Sequence, residues 1–218
     1  MALTDTYFGA NNAFGIVTVM DVKVYKEFAV AENGETAKVY LDRIEATTGG
    51  GTELASIDHM QVATLSTDGP SITINGGKFN NPLLKYGKTA RCEMTDALGQ
   101  ADALVALGGA EIDSTGNISI TDKFGAPVTI VGSSFVVDQK TGKHIPVKVI
   151  LYKFLPDSTP SFAFDSGNAA TFDLNGDLLA VEGITLGTGE GGTEEWSDCV
   201  GATGVFFSIV PVDCALGQ

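Results

Sequence analysis

Few residues in this chain could carry chemistry, and their spacing decides what they could do. Gly87-Lys88-Thr89 has the ending of a phosphate-binding loop, where backbone amides and a lysine cradle phosphate. The glycine required five residues before Gly87 is Pro82, and no strand feeds directly into the turn, so that reading fails. Asp173-x-Asn175-x-Asp177 has the odd-position oxygens of a calcium loop. Its turn glycine would fall on Leu178 and its bidentate acid on Ile184, so an alternating strand face accounts for the three better. His59 and His144 are the two imidazoles. Neither stands in a ligand-like or nucleophile-like pattern, and two histidines without a Cys-x-x-Cys do not build a usual zinc site. A triad is spatial and is not decided by sequence, but no nucleophile elbow is present. Asn117-Ile118-Ser119 matches a glycosylation sequon, which has meaning only in a secreted chain. No enzyme, cofactor or metal site is expected.

Three cysteines, Cys92, Cys199 and Cys214, leave one unpaired in any scheme. Cys92 alternates with apolar neighbours and reads as a core thiol. Cys199 and Cys214 could pair, but the N-terminus lacks a basic region followed by an apolar stretch, so a reducing compartment is the expectation. The longest apolar runs, near Ala13–Met20 and Gly204–Val212, are too short to span a bilayer, and a soluble protein is expected.

Charge excludes more than it assigns. The net value is −14, and every lysine and arginine lies at or before Lys153. Beyond it stand only acids: Asp157, Asp165, Asp173, Asp177, Glu182, Glu190, Glu194, Glu195, Asp198 and Asp213. A nucleic-acid binder needs the opposite sign. An acidic surface of this kind keeps a protein soluble, and it also repels any polyanion passing close by.

The elements that must position these residues are mostly strands. Gly15–Phe28 is a β-branched run, Asn33-Gly34 is a two-residue hairpin signal, and Thr36–Ile44 reads as its return, so the chain is expected to open with a hairpin. Residues 1–14 are mixed and polar, an arm or a loose lead-in. Thr47-Thr48-Gly49-Gly50-Gly51-Thr52 is a break, with the glycine-rich stretch taken as far as Ala55. Strands are then expected at His59–Leu65 and Ser71–Ile74. In Lys88–Met94, Ala90, Cys92 and Met94 share one face and Thr89, Arg91 and Glu93 the other. Thr95 or Asp96 can cap a helix whose stripe is Ala97, Leu98, Ala101, Leu104, Val105 and Leu107, ending at Gly108-Gly109. Further strands are read at Asn117–Thr121, Val128–Val131, Ser134–Val137 (divided from the last by Gly132) and Val147–Lys153. Thr171–Val181 places Phe172, Leu174, Leu178 and Ala180 opposite Thr171, Asp173, Asn175 and Asp177. The glycine-rich Gly187–Thr193 leads to Trp196, and Val205–Val212 is a last strand. No internal repeat or domain boundary is visible. The chain, residues 1–218, is expected to be one mainly β domain, a β-sandwich or partly closed barrel of about ten strands with one short helix packed on it.

Two blocks carry a resemblance. Gly76–Gly109, GGKFNNPLLKYGKTARCEMTDALGQADALVALGG, resembles the centre of the major tail tube proteins of long-tailed, non-contractile-tail bacteriophages and related prophages. It has their glycine pair, polar loop, aromatic-Gly-Lys step into a strand, and Asp-Ala-Leu entry into a helix. Gly132–Glu182 resembles the family's next segment and ends in SGNAATFDLNGDLLAVE, like its Thr-Phe-Asp strand. The resemblance implies a virion structural protein, assembled in the host cytoplasm, that forms hexameric rings stacked into a hollow tail. Its sheets would join around a lumen through which DNA passes without specific binding. The implied partners are further copies of the chain, a tape-measure protein inside, and terminator and baseplate or distal tail proteins at the ends, with no membrane. On that reading Asp173 and Asp177 are candidate lumen-facing acids. Thr48, Gly49, Gly50 and Gly51, with Gly189, Glu190, Gly191 and Gly192, are candidate ring-stacking loops that order on stacking. The rival reading is an Ig-like binding or decoration module on a virion or cell surface.

Overall fold

The structure, a computed structural model, describes residues 14–27, 37–40, 52–57, 60–69, 71–73, 83–85, 87–96, 101–122, 125–138, 142, 144–157, 161–163, 171–187 and 201–211. Among them, in chain order, are β1 (Phe14–Lys26), β2 (Ala37–Tyr40), β3 (Glu53–Ile57), β4 (Met60–Asp68), β5 (Ser71–Thr73), β6 (Leu83–Lys85) and β7 (Thr89–Asp96). Helix α1 (Ala101–Gly108) follows, then β8 (Ala110–Ile112), β9 (Ile118–Ile120), β10 (Val128–Asp138), β11 (His144–Pro156), β12 (Ser161–Ala163) and β13 (Thr171–Leu178). The last are β14 (Val181–Gly187), β15 (Gly201–Val205) and β16 (Phe207–Pro211). The fold is mainly β with one short helix, as expected. The strand count exceeds ten because three-residue strands such as β5, β6, β8, β9 and β12 are too short to show a periodic pattern.

The main sheet has nine strands in the order β3-β1-β10-β11-β13-β7-β4, with β12 on β13 and β16 on β11. Its two ends, β3 and β4, are joined by residues 58 and 59 alone. Three links of chain reach at most about 11 Å, so the sheet curls until its ends approach, without a ladder closing them. The result is sandwich-like and open along one seam. Val24, Ile57, Cys92, Met94, Val128, Leu151, Phe154 and Leu174, from strands all along the sheet, share one buried cluster with Ala103 and Leu107 of α1. Gly125 lets the lead-in to β10 lie against the helix end, since a Cβ there would meet the Leu107 carbonyl oxygen at 2.8 Å.

One edge of β11 is divided. Val147–Leu151 pairs with β16, while Phe154–Pro156 pairs with β13, so two strands share the same edge end to end. At the division the chain changes sheets. It leaves β13 through Leu179 and Ala180 into β14, and returns from β15 through Phe206 into β16. β14 and β15, with β2 parallel to β14, form a separate three-stranded sheet. This is how bent strands turn corners between packed sheets.

Several expectations are corrected. β1 does not form a hairpin with residues 36–44; it pairs with β10 and β3, and β2 joins β14. The Asn33-Gly34 signal is local, and long-range partners for the β-branched edge prevail over it. The first strand after the glycines is not at 59 but at Glu53–Ile57, where Ala55 is buried. Thr95 and Asp96 belong to β7; Ala97 and Leu98 lie outside the described residues, and the described helix is Ala101–Gly108. Its Leu104 and Leu107 are buried but Val105 is exposed. Gly109, at φ 62°, makes the left-handed stop expected of it. Gly132 does not divide a strand; it lies inside β10 opposite Val149.

The acidic face of strands β4, β7 and β13 as candidate functional site

β7 lies between β4 and β13, antiparallel to both. Successive residues point to opposite sides of a strand, so Ala90, Cys92 and Met94 enter the core with Leu174 and Leu178 of β13. The other side of the same strands is polar. Ser66, Arg91 and Asp177 form one cross-strand row, and Thr64, Glu93 and Asn175 form the next. Gly176 sits between the two β13 acids, where a Cβ would strike the Leu155 carbonyl oxygen at 2.4 Å and the Phe154 ring at 2.5 Å. That close approach brings the end of β11, and with it Asp157, against β13; the Asp157 amide donates to the Asn175 carbonyl at 2.7 Å.

Arg91 occupies the middle of this face. One terminal nitrogen donates to Asp157 Oδ2 at 2.5 Å, the other to Asp177 Oδ1 at 3.1 Å, and Nε stands 3.5 Å from Glu93 Oε1. The hydrogen bond that Arg91 donates to Asp157 is the main cause that pushes the guanidinium further above its ordinary value, with Asp157's charge and then Asp177 adding to it. The clasp therefore reaches from β7 across β13 to the end of β11. Asp173 is held separately, accepting from Thr95 Oγ1 at 2.8 Å. Three carboxylates thus surround the guanidinium, while Asp173 and Asp68 stand elsewhere on β13 and β4, each with a hydrogen-bond partner of its own.

Chemically, this face presents negative charge and hydroxyls, and the cation at its centre has its donors committed to carboxylates. It is built to stay hydrated and to offer a passing phosphate no free guanidinium fork. Among the described residues no three histidine, cysteine or acidic side chains converge to hold a metal ion. The spacing that suggested calcium instead points Asp173 at Thr95 and Asp177 at Arg91.

Of the residues singled out by sequence, Asp173 and Asp177 thus lie on one polar face. Ala180, expected on the apolar face, is exposed where the chain leaves the sheet. Thr48, Gly49, Gly50, Gly51, Gly189, Glu190, Gly191 and Gly192 lie outside the described residues, as do His59, Cys199, Cys214 and Trp196. His144 is exposed at the start of β11. Cys92 is a buried core thiol pushed up to about 12 by burial. Asn117 and Ile118 belong to a small hairpin, β8–β9. Arg91 and Asp157 were not singled out as site residues. Arg91 was legible as a polar-face residue, but its partners come from strands 66 and 86 residues away, and no local signal announces them.

No known family's model matches the chain, and no curated protein matches it. Among solved structures it is similar to a chain of the anti-feeding prophage (AFP) baseplate, determined by cryo-EM with 6-fold symmetry. The identity is 8% over 74% of this chain and 88% of that one, with a TM-score of 0.31. A likeness at that TM-score carries no argument.

Proposed function

We propose that this chain is a structural protein of a phage-type tail, the tube subunit itself. It polymerises as stacked rings, six copies to a ring, into a hollow conduit for DNA. The observation that carries the reading is the face just described, with three acids around a guanidinium that its own neighbours occupy. DNA is a dense polyanion, and exposed cations along a channel would hold each phosphate by attraction and counterion release. A conduit needs weak repulsion along its whole length. Copies arranged in a ring sum their fields in a narrow bore, so a modest surplus per subunit becomes strong. Asp173 and Asp177 are the acids assigned to the lumen. The two sequence blocks, Gly76–Gly109 and Gly132–Glu182, support the same reading.

The fold supports assembly as well. A curled sheet that stays open leaves edges at β3 and β4, and edge pairing between copies is a direct way to close a ring. The role is structural, not catalytic. The partners are other copies, a tape-measure protein within the bore, and terminator and baseplate proteins at the ends. Residues 48–51 and 189–192 are assigned to contacts between rings. The rival, an Ig-like module, calls for a two-sheet Greek key of seven to nine strands, and the seven-strand path of the nine-stranded sheet here follows another order.

Negative-stain microscopy of concentrated protein is the test. Tubes or stacked six-fold rings are expected. Compact particles at every concentration, with sedimentation as a monomer, overturn the proposal.

A further inference from the structure

The half of the sheet around β11 holds an amine in a setting unlike that of Lys23 or Lys153. Lys148 stands in β11 between Ser133 of β10 and Val210 of β16, its partners in register on either side. Directly paired residues share a face, and so do residues two apart on one strand. Val210 and Ile150, both buried, therefore flank the base of its side chain. Lys148 itself is half-buried, and its ammonium donates to Ser133 Oγ at 2.8 Å. Among the described residues it pairs with no carboxylate, whereas Lys23 meets Glu53 at 2.7 Å and Lys153 meets Glu27 at 2.5 Å.

That difference decides what each nitrogen can do. A carboxylate stabilises the ammonium and so withholds the lone pair, whereas a neutral hydroxyl does so far less. Desolvation lowers the pKa of Lys148, while the hydrogen bond to Glu53 raises that of Lys23. The charged groups in reach of Lys148 lie on β1. Met20 pairs with Ser133 and Lys23 with Val131, so β1 carries an extra residue there, a bulge with Asp21 at φ 49°. Asp21 opposes the shift and Lys23 adds to it, each by less than desolvation does. β16 has no titratable side chain, and β10 only Asp138 at its far end. A neutral amine whose N–H is taken by Ser133 keeps its lone pair on the side away from that hydroxyl.

We infer that Lys148 is a covalent modification site, its amine held by Ser133 for attack on small activated acyl groups of the acyl-phosphate class. The lone pair of the neutral amine forms the C–N bond at the acyl carbon. The C–O bond to phosphate breaks with its electron pair, and the proton shed by nitrogen leaves on the phosphate. The product is an uncharged amide. The site stands apart from the proposed assembly and does not depend on it.

Acetyl phosphate alone is the probe, added to the full chain at pH 8, with acetylation at each lysine followed by peptide mass spectrometry. Each unit by which an amine's pKa falls leaves about tenfold more of it neutral at a given pH. Lys148 is expected to react about tenfold faster than Lys23 and about threefold faster than the exposed Lys88. The advantage should vanish in concentrated urea, where all the lysines are solvated alike. Ser133→Asp replaces the hydroxyl with a carboxylate and should slow Lys148 about tenfold, to the rate of Lys23, with folding checked by urea denaturation. Equal rates at Lys148 and Lys88 in the folded parent protein overturn the inference without any variant. An advantage that persists in urea overturns it too, since it would belong to the local sequence and not to the fold. So does an unchanged Lys148 rate in a folded Ser133→Asp protein.

Discussion

β7 and β11 belong to one sheet and obey different rules. β7 alternates strictly: Ala90, Cys92 and Met94 are buried, and Thr89, Arg91 and Glu93 face outward. In β11, Val149, Ile150, Leu151 and Tyr152 are all buried in succession, so the strand is covered on both sides. The side of β11 that alternation alone would assign to water carries Ile150 and Tyr152. Tyr152 bonds Ser208 at 3.0 Å, and Thr129 donates to the Tyr152 carbonyl. Even Lys148 on that side is half-buried, donating to Ser133 Oγ at 2.8 Å, and desolvation lowers its pKa. One half of the sheet thus keeps a free face on which charge can be placed, and the other half is given over to stability. The function proposed above could be written only on the first.

The sharpest way to break this comparison is to place a charge on each half. Ile150→Asp would bury an unpaired carboxylate and should cost on the order of 4 kcal/mol or abolish folding, whereas Thr64→Asp on the polar face should change stability by less than about 0.5 kcal/mol. Urea denaturation measures both, and similar costs would erase the distinction.

Alkali probes the two interiors separately. Burial raises the Cys92 thiol, and the Tyr152 hydroxyl likewise, each to about 12. Both folded values lie above the unfolded ones, so the stability they contribute is complete below pH 9. It is then lost as pH rises toward 12, by on the order of 2–4 kcal/mol at pH 11. Cys92→Ala should delay the onset from about pH 9 to about pH 10, where tyrosine begins to ionise. An unchanged onset in the variant would contradict the burial of Cys92.

Gly176→Ala tests the seam where the halves meet. The added methyl collides with backbone and the Phe154 ring, and a loss of about 1–3 kcal/mol is expected by thermal unfolding. Full stability would show that β11 and β13 can part without cost. Arg91→Gln should have the smallest effect. The clasp side chains are more than one-third exposed, so solvent screens the pairs and about 1 kcal/mol or less is expected, vanishing in high salt. A large, salt-insensitive loss would make the clasp structural instead of electrostatic.

The same contrast explains what was legible in the sequence. Alternation marks a strand with one wet face, so β7 and the Asp173–Asp177 face of β13 could be read residue by residue. A strand covered on both sides has no period, which is why 128–137 was divided at Gly132 and only part of β11 was recognised. Pairing was least visible. Asn33-Gly34 spoke for a local hairpin, while the partner of β1 lies about a hundred residues away. The Arg91 clasp was hidden for that reason too, since Asp157 follows a proline with nothing nearby to suggest an arginine.

The pairing of β1 also sets a timetable. Phe14–Lys26 leaves the ribosome well before Val128–Asp138, to which its ladder runs, and β11 gains its β16 neighbour only when Phe207–Pro211 appears. At roughly 5–20 residues per second, β1 waits several seconds or more for β10, with only β3 available beside it. A nascent chain arrested before residue 128 should therefore remain protease-sensitive throughout β1. A sheet that waits for Phe207–Pro211 has no finished surface to offer a neighbour while the chain up to that point is being made, so under the proposed function any assembly of copies would come after β16 has been translated.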